Sequence, residues 1–386
     1  MTSLAADPLA LPASSVDTGA TELTVVGLAE AEGEWRRFER DAIATPYGRF
    51  DWVRAFAGRD ADRVRVVTGR NAEGRLDLVW ALQAVRRFGV SAALPIGGRH
   101  ANVNLPLIRP GTLGSLPPKP LLQGVGAKLG ADLVCIPRVP ETWADMPVPL
   151  ASLGRPNPDV APSVRLGADP ESTAQRTMSN EARKRLRNKE RGLAKHGPVA
   201  FRQAQAPGEI DGLLHAFFRQ KAERFAALGI ADPFAGAPIR DAIRQAATGS
   251  TPAIALYGLW IGETIAAVLG AAVSETHLSG MFISFEHWPD ILRFSPGDVL
   301  MSRVVQAQFG AGRARLDFGT GRAHYKSIFC DEEIGLRDVV HPVTALGTAA
   351  AAGLRATLAA KARLKGSRAF MAAVGRVRRA RPTPSF

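Results

Sequence analysis

The sequence has few of the residues that disulfide-rich and metal-binding proteins need. Its 386 residues include only two cysteines, Cys135 and Cys330, so a disulfide framework is excluded. No two histidines have the spacing at which a helix or strand would present them to zinc. Cys330 precedes two acidic residues, which disfavour a reactive thiolate. These features favour a reduced, cytoplasmic setting and predict no metal centre.

Long apolar runs are also missing. No window of eighteen residues is apolar and free of charge, so the sequence predicts no helix that crosses a bilayer. Residues 1–20 lack the basic start and continuous apolar core of a secretory signal, and we expect a disordered leader there. The protein is predicted to be cytoplasmic, with at most a peripheral contact to the inner face of the membrane.

Nucleotide-binding motifs are incomplete. The stretch LDFGTGRAHYKSIF, residues 316–329, combines a short apolar strand with two glycines and a Lys-Ser pair. A P-loop needs glycine directly before the lysine, where Tyr325 stands, and a dinucleotide fingerprint needs a third glycine where His324 stands. There is no G-x-S-x-G motif, so a hydrolase elbow is unsupported. The stretch has to be interpreted from its surroundings.

Composition and charge describe an ordinary globular chain with a basic end. The chain is 46% hydrophobic and 22% charged, and its length accommodates two domains of typical size. Its net charge is +13, but nine basic and no acidic residues lie from residue 346 onward, which leaves +4 for residues 1–345. Nucleic-acid binding by the body of the protein therefore loses support.

Local patterns divide the chain into two halves. The first half predicts a strand over 22–27, a helix over 32–42 and a hairpin around NAEG, within a largely antiparallel sheet. Residues 154–170 carry four prolines and two glycines and are interpreted as an interdomain linker. The predicted domains are therefore 21–153 and 171–345, followed by a basic helical tail over 346–386.

The second half opens with one long basic segment and then follows a specific order of elements. Eight basic residues between 176 and 195 lie on a segment predicted to be helical, which could be a solvated face or a contact for a phosphate or acidic substrate. A strand, two helices, three antiparallel strands, an amphipathic helix over about 297–310 and another strand follow. The predicted class is α/β (α+β), with mixed, mostly antiparallel sheets flanked by helices.

This order resembles the GNAT acyltransferase fold. Residues 292–326, LRFSPGDVLMSRVVQAQFGAGRARLDFGTGRAHYK, resemble the "SPG … helix … DF-x-x-G … YK" segment of CelD-like and FemAB-related acetyltransferases. The first half, with TPYGRFDW and its hairpin, resembles a degenerate second copy of the fold. The resemblance covers roughly residues 20–345 and implies two tandem GNAT-like domains.

The turn SPG predicts a site for an anion. Ser295 is expected to cap the helix, with Pro296 in its first turn and Asp298 completing a capping box, while Gly297 leaves room for a close approach to the amides. A helix N-terminus attracts a pyrophosphate. The resemblance implies that acetyl-CoA, or another acyl-CoA, binds there, with Arg293 beside it; an ordinary capped helix is the alternative.

Candidate catalytic residues follow the last strands of this segment. The resemblance implies that Tyr325 protonates the leaving thiolate, and Lys326 could orient an acidic acceptor or polarise the carbonyl. Asp317 and Glu286 are candidate carboxylates near the expected cleft, although a structural Asp–Lys or Asp–amide contact would place Asp317 and Lys326 equally well. Three further residues are expected to contact the substrate: Gly319, Gly321 and His324.

These expectations combine into an acyl-CoA-dependent N-acyltransferase that acts on an amine of a sugar or cell-envelope precursor. Two alternatives stay open, namely aminoacyl transfer from a charged tRNA and a catalytically silent scaffold. The tail, with its leucines among nine basic residues, could lie on an anionic membrane surface, stay disordered or dock on the body.

Overall fold

A computed structural model describes residues 22–323 and 326–366; for residues 355 and 357–366 the backbone alone is described. The strands of this part of the chain are β1 Glu22–Gly27, β2 Val64–Arg70, β3 Leu76–Arg87, β4 Val90–Pro95, β5 Leu107–Ile108, β6 Leu133–Pro140, β7 Thr142–Trp143, β8 Met146–Pro147, β9 Arg155–Arg165, β10 Val199–Gln203, β11 Ile254–Ile261, β12 Thr264–Val273, β13 His277–Phe285, β14 Arg315–Asp317 and β15 Glu332–Pro342. Its helices are α1 Leu28–Phe38, α2 Phe50–Ala57, α3 Pro118–Lys128, α4 Pro170–Thr177, α5 Asn180–Leu193, α6 Pro207–Ala227, α7 Ala237–Ala247, α8 Pro289–Leu292, α9 Pro296–Gly310, α10 Lys326–Phe329 and α11 Ala345–Gly366.

One mixed sheet of 13 strands runs through both halves of the chain. Its order is β1-β2-β3-β4-β6-β15-β9-β14-β13-β12-β11-β10, with β5 paired to β3. Most pairs are antiparallel, while β4 with β6 and β13 with β14 are parallel. The predicted class of a mixed, mostly antiparallel α/β fold flanked by helices is confirmed. The two expected sheets are joined, because β15 lies between β6 of the first half and β9.

The proline-rich segment expected to be an irregular linker contains strand β9. It pairs with β15 on one side and with β14 on the other. Pro162 has no N–H to donate to a neighbouring strand, and it lies where the pairing of β9 with β14 ends. Its carbonyl still accepts a hydrogen bond from the Phe318 N–H at 3.4 Å. The two halves are thus connected through a strand within the sheet, and the division into two domains stays a prediction.

Several predicted elements have the expected type and shifted bounds. Strand β1 has its predicted bounds, and β11, β12 and β13 are antiparallel as expected. Helix α1 begins at Leu28 rather than residue 32, directly after β1. The single basic helix expected after residue 171 is two helices, because Met178 is extended and the Ser179 side chain accepts from the Ala182 N–H to begin α5.

Apolar side chains form two clusters on opposite faces of the sheet in the second half. Strand β11 illustrates this, since Ile254 and Leu256 belong to one cluster and Tyr257 and Leu259 to the other. The first cluster includes α6 and α7 and continues into the core of the first half, whereas the second includes α9 and the end of α5. We refer to these sides as the α6 face and the α9 face. Burial of apolar surface across both halves stabilises them as one unit.

The predicted tail begins as helix α11. Its first turns pack on the body, since Ala351 is 2% exposed and the backbone at Gly347 approaches Asp132 closely enough to exclude a Cβ. Residues 367–386, which carry the rest of the predicted basic tail, lie outside the described residues. Among the described residues, no helix combines the length and apolar character needed to cross a bilayer.

Candidate active site

Strands β13 and β14 separate after a short parallel pairing. They pair only at His277–Arg315, Leu278–Leu316 and Ser279–Asp317, although β13 continues to Phe285. Within the part of the chain that the structure describes, the β13 edge from Gly280 onward therefore has no strand partner on the β14 side. An unpaired strand edge presents N–H and C=O groups to whatever occupies the gap.

Two glycines form the point where the strands separate. A Cβ on Gly280 would lie 3.1 Å from the Phe318 Cα, and a Cβ on Gly319 would lie 2.5 Å from the Gly280 carbonyl oxygen. Gly319 also has a φ of +80°, which favours glycine. The backbones meet here without intervening side chains, so the gap closes sharply at this end.

The gap leads into a cavity of about 330 Å³ whose lining includes residues of both apolar clusters. Its lining on the α9 face is apolar and includes Leu269, Ile283 and Met301. On the α6 face the lining includes Phe234 and Phe282 together with polar and cationic side chains. Those side chains are Arg99, Asn102 and Lys221. The two sides of the cavity thus differ in chemistry, and we call them its α9-face mouth and its α6-face mouth.

A buried polar network joins the two halves at the closed end of the cavity. We call it the bridge network; it consists of Tyr47, Asn102, His277, Ser279 and Asp317. The Asp317 carboxylate accepts from the Ser279 hydroxyl at 2.9 Å, from the Gly319 N–H at 2.7 Å and from the His277 Nε2 at 2.8 Å.

The rest of the bridge network comes from the first half. The Tyr47 hydroxyl lies 2.7 Å from the Ser279 Oγ, and Asn102 Nδ2 donates to the Tyr47 hydroxyl oxygen at 2.6 Å and to the Gly280 carbonyl at 2.9 Å. Burial, and next the negative charge of Asp317, raise the pKa of Tyr47 well above its ordinary value. The Tyr47 hydroxyl therefore stays protonated near neutral pH and can donate a hydrogen bond to the Ser279 Oγ.

Asp317 occupies the expected place beside the cleft, but its contacts are structural. It is fully buried, and its two oxygens are already taken by three donors. The alternative of an Asp–amide contact is the one observed, through the Gly319 N–H. A catalytic role for Asp317 stays a prediction, and these contacts favour positioning of the loop that follows β14.

Lys326 is buried and engaged with the backbone. Its Nζ donates to the carbonyl oxygens of Gly319, Thr320 and Gly321 at 3.0, 2.9 and 3.0 Å, which uses all three of its protons. Burial lowers the pKa of Lys326, and the charge of Asp317 opposes that shift. Its expected role toward the acceptor stays a prediction, while its contacts hold the 319–321 loop.

Glu286 is far from the bridge network. It follows β13 and lies seven residues beyond Ser279, which corresponds to roughly 20 Å along a strand. Its side chain is 1% exposed and pairs with Arg219 and with Gln220, whose Nε2 donates at 2.9 Å. The structure therefore does not bring Glu286 together with Asp317, and its predicted catalytic role stays a prediction.

The SPG turn begins α9 as predicted, but the expected capping box is wrong. Ser295 has a left-handed φ of +47°, and its side chain makes no capping hydrogen bond. The Asp298 carboxylate instead accepts from Lys189 of α5 at 2.5 Å. Lys189 thus offsets a negative charge that would oppose an anion at this helix end.

Gly297 and Pro296 are buried against β13, whereas Arg293 is exposed. A Cβ on Gly297 would lie 3.2 Å from the Phe285 ring, so this glycine allows the helix to pack closely on the strand. The Arg293 guanidinium lies 4.7 Å from the centre of the Phe294 ring. Cofactor contacts for these residues stay predictions.

The remaining predicted residues lie around the loop after β14. Gly321 has a φ of +86° and its N–H donates to the Val160 carbonyl at 2.8 Å. His324 and Tyr325 lie outside the described residues, so their predicted roles stay predictions. In the described ranges, no group of three or more His, Cys, Asp or Glu side chains could hold a metal ion.

Sequence reasoning missed four members of the bridge network and both cations of the α6-face mouth. The sequence analysis predicted a strand that contains His277 and Ser279. A histidine and a serine in an otherwise apolar, buried strand could have indicated a buried polar network. Tyr47 and Asn102 gave no such signal, because their partners lie in the other half.

Comparison with known proteins is consistent with this geometry. Residues 180–327 match the family described as Acetyltransferase (GNAT) domain. No curated protein sequence is significantly similar to the chain. Three solved structures are similar in fold over most of both chains. FemX has 9% identity and a TM-score of 0.57, covering 81% of this chain and 96% of its own.

The other two comparisons are with bacterial proteins. The C-terminal domain of a putative lysylphosphatidylglycerol synthetase from Agrobacterium fabrum has 13% identity and a TM-score of 0.51, covering 86% of this chain and 97% of its own. A protein of unknown function from Bacteroides thetaiotaomicron has 8% identity and a TM-score of 0.54, covering 83% and 99%. The chain therefore has a mixed α/β, GNAT-like fold, and its residues 180–327 are similar to the GNAT acetyltransferase family.

Proposed function

We propose that the protein is an N-acyltransferase that transfers an acyl group directly from acyl-CoA, acetyl-CoA in the simplest case, to an amine. The observation that carries this proposal is the cavity between β13 and β14, with an apolar mouth on the α9 face and a polar mouth on the α6 face. Two substrates can meet there from opposite sides. The GNAT match over residues 180–327 supports the same chemistry.

The donor enters from the α9 face in this proposal. The pantetheine arm and acyl group would lie against Leu269, Ile283 and Met301, whose side chains form an apolar wall. The N-terminus of α9 follows closely, because Gly297 packs on Phe285 of the same strand. Its free N–H groups and partial positive charge suit the diphosphate of CoA.

Helix α5 supplies positive charge beside this helix end. Lys189 pairs with Asp298, and Gly192 packs so closely on Phe294 that a Cβ would overlap the ring. Exposed basic side chains lie along α5 and directly after it: Lys184, Arg185, Arg187, Arg191 and Lys195. A CoA phosphate group near α5 would therefore enter a positive potential.

The transfer needs a polarised carbonyl, a neutral amine and a protonated leaving group. Backbone N–H groups on the free edge of β13 could stabilise the oxyanion that forms when the amine nitrogen attacks the thioester carbon. As the C–S bond breaks, the nitrogen loses a proton and the sulfur gains one. Tyr325 is the proposed acid for the thiolate, on the resemblance of the YK pair to CelD-like acetyltransferases. The bridge network would keep the closed end of the cavity rigid.

Aminoacyl transfer from a charged tRNA is the second candidate. The exposed basic side chains of α5 favour it, because binding to nucleic acid depends on many such cations. Its signature would be an affinity for tRNA that falls steeply with salt, together with no response to acetyl-CoA.

An amine of a sugar or envelope precursor is the acceptor that we propose for the acyl-CoA reaction.

A thermal-shift titration with acetyl-CoA tests the proposed donor. A ligand at a hundred times its Kd stabilises a protein by about 2.7 kcal/mol, so a saturable rise in Tm is expected. In Gly297→Glu the rise should disappear, because the new side chain presses against Phe285 and adds a negative charge at the N-terminus of α9. Gly208→Glu is the matched control, since Pro207-Gly208 also begins a helix, α6, and has open space around its Cβ position.

A second variant covers the case in which Gly297→Glu fails to fold against Phe285. Ile283→Trp fills the apolar mouth from a partly exposed position and should also remove the response. The proposal is wrong if acetyl-CoA gives no stabilisation of the wild-type protein, or if both variants respond like the wild type. Absence of any transfer with bound acetyl-CoA would favour a silent scaffold.

A further inference from the structure

The α6-face mouth of the cavity carries positive charge, and no carboxylate lines it within the described ranges. Three cationic side chains line the cavity, Arg99, Lys221 and Lys326, and no Asp or Glu is among its lining residues. Lys326 is engaged by three backbone carbonyls. The other two cations face the cavity from opposite halves of the chain, Arg99 from the loop after β4 and Lys221 from α6.

Lys221 is partly buried with no ion-pair partner among the residues that the structure describes. Its Nζ lies 5.6 Å from the centre of the Phe225 ring. Burial lowers the pKa of Lys221, while Asp232 opposes the shift from beyond ion-pair distance. The Asp232 Oδ1 is taken by the Phe234 N–H at 2.8 Å. An ammonium group in such a setting is less stable than one paired with an anion.

Arg99 lies on a loop that is held from both sides. Gly97, with a φ of +91°, lets this loop pack on Trp52, where a Cβ would lie 3.2 Å from the ring. The Arg138 guanidinium of β6 donates a hydrogen bond to the Gly98 carbonyl at 2.5 Å. Arg99 itself is exposed, and within the described ranges its guanidinium has no hydrogen bond or ion pair. A fixed loop thus presents an unpaired guanidinium to the cavity.

We propose that the acceptor is an amine that also carries an anionic group, a carboxylate or a phosphate, and that Arg99 and Lys221 bind this group at the α6-face mouth. The inference rests on the proposed function, whose acceptor it specifies. Arg99 offers the planar fork that carboxylates and phosphates share, and Lys221 offers a partly desolvated point charge.

Electrostatics gives a reason why a simple amine is a poor acceptor here. An amine arrives as an ammonium ion, and two cations at the mouth repel it. An anionic group on the same molecule reverses that interaction. With the anion between Arg99 and Lys221, the amine end can reach past Asn102 toward the free edge of β13. The two side chains therefore act in binding and specificity and not in bond formation.

Matched pairs of small amines test this inference by direct binding. Isothermal titration of the full chain compares phosphoethanolamine with ethanolamine, and β-alanine with β-alaninamide. The expected result is that the anionic member of at least one pair binds roughly tenfold tighter, which corresponds to about 1.4 kcal/mol. The pair that shows the preference distinguishes phosphate from carboxylate recognition.

Variants show where that preference originates. Lys221→Met and Arg99→Gln should each reduce it to about twofold or less, because the anionic member loses one of its two cationic partners. The member without an anionic group should bind no more weakly than it does to the wild type, since one repelling cation is removed. Lys128→Met, an exposed lysine of α3 away from the cavity, is the control and should retain the preference. Circular dichroism and Tm establish that each variant is folded.

The inference is overturned if neither anionic probe binds better than the matched amine without an anionic group, or if the preference persists in both variants. The acetyl-CoA titration is independent of these measurements. Stabilisation by acetyl-CoA without an anionic preference would refute this inference alone. An anionic preference that depends on Lys221 and Arg99, with no binding of acetyl-CoA, would refute the proposed acyl-CoA donor and leave the anion site standing.

Discussion

The bridge network should contribute measurably to the stability that the two halves share. Tyr47 and Ser279 are 232 residues apart in sequence, yet their hydroxyl groups lie 2.7 Å apart. Tyr47→Phe removes the hydrogen bonds of the hydroxyl with Ser279 and Asn102, but Asn102 still donates to the Gly280 carbonyl at 2.9 Å, so we expect a loss of about 1–2 kcal/mol. Ser279→Ala removes one of three donors to Asp317 and leaves the Tyr47 hydroxyl without its acceptor, so about 2–3 kcal/mol is expected.

A double-mutant cycle isolates the contact between the halves. Because the Tyr47 hydroxyl and Ser279 interact directly, the losses should not add, and a coupling free energy of about 1 kcal/mol is expected from urea unfolding of the four proteins. Tyr257→Phe is the matched control, since among the described residues the Tyr257 hydroxyl accepts one hydrogen bond, from Gln308, which is long at 3.4 Å. Its loss should be smaller than that of Tyr47→Phe. A coupling near zero, or equal losses at Tyr47 and Tyr257, would refute the role assigned to the bridge network.

Three further perturbations have defined expected outcomes. Gly319→Ala should destabilise the protein by about 1–3 kcal/mol in urea unfolding, because φ is +80° and a Cβ would lie 2.5 Å from the Gly280 carbonyl oxygen; an unchanged midpoint would contradict this. Burial raises the pKa of Asp51, but the hydrogen-bonded Arg36 guanidinium lowers it by more, so the pKa in the folded protein is below that in the unfolded chain, about 3.9. The ionised Asp51 therefore stabilises the protein above a pH of about 3.9, and this stabilisation should be lost as the pH falls through the folded pKa. The Tm of Asp51→Asn should therefore fall less than that of wild type below pH 4, and parallel pH curves would contradict the assignment. Asp298→Asn should tighten acetyl-CoA binding by about two- to fivefold in calorimetry, since it removes a negative charge at the α9 N-terminus; weaker binding would count against the diphosphate site.

The local elements were predictable because their signals are short-ranged. The alternation along β13 and the apolar stripe of α9 define these elements within a few residues, and the turn around NAEG defines the hairpin of β2 and β3. The resemblance added the order of elements, and with it the expectation of a cleft beside β14. The mixed α/β fold followed from these two sources.

What could not be predicted depends on distant contacts. Strand β9 joins the sheet because β14 and β15 flank it, and nothing within its own proline-rich sequence indicates those partners. Ser295 adopts a left-handed conformation that Ser-Pro-Gly does not require, so the expected cap was wrong. Lys326 was interpreted as a substrate-side group because the sequence does not show that the chain turns back between residues 319 and 326. In the structure, this turn brings three backbone carbonyls of the 319–321 loop to the Lys326 ammonium group.

The most direct test of the central claim is a crystal structure with acetyl-CoA. The account predicts that the pantetheine arm lies between residues 280–283 of β13 and residues 317–320 after β14, with the diphosphate at the N-terminus of α9. The thioester carbonyl should then accept a hydrogen bond from the free edge of β13. Acetyl-CoA bound elsewhere on the protein, with the cavity between β13 and β14 unoccupied, would contradict the account.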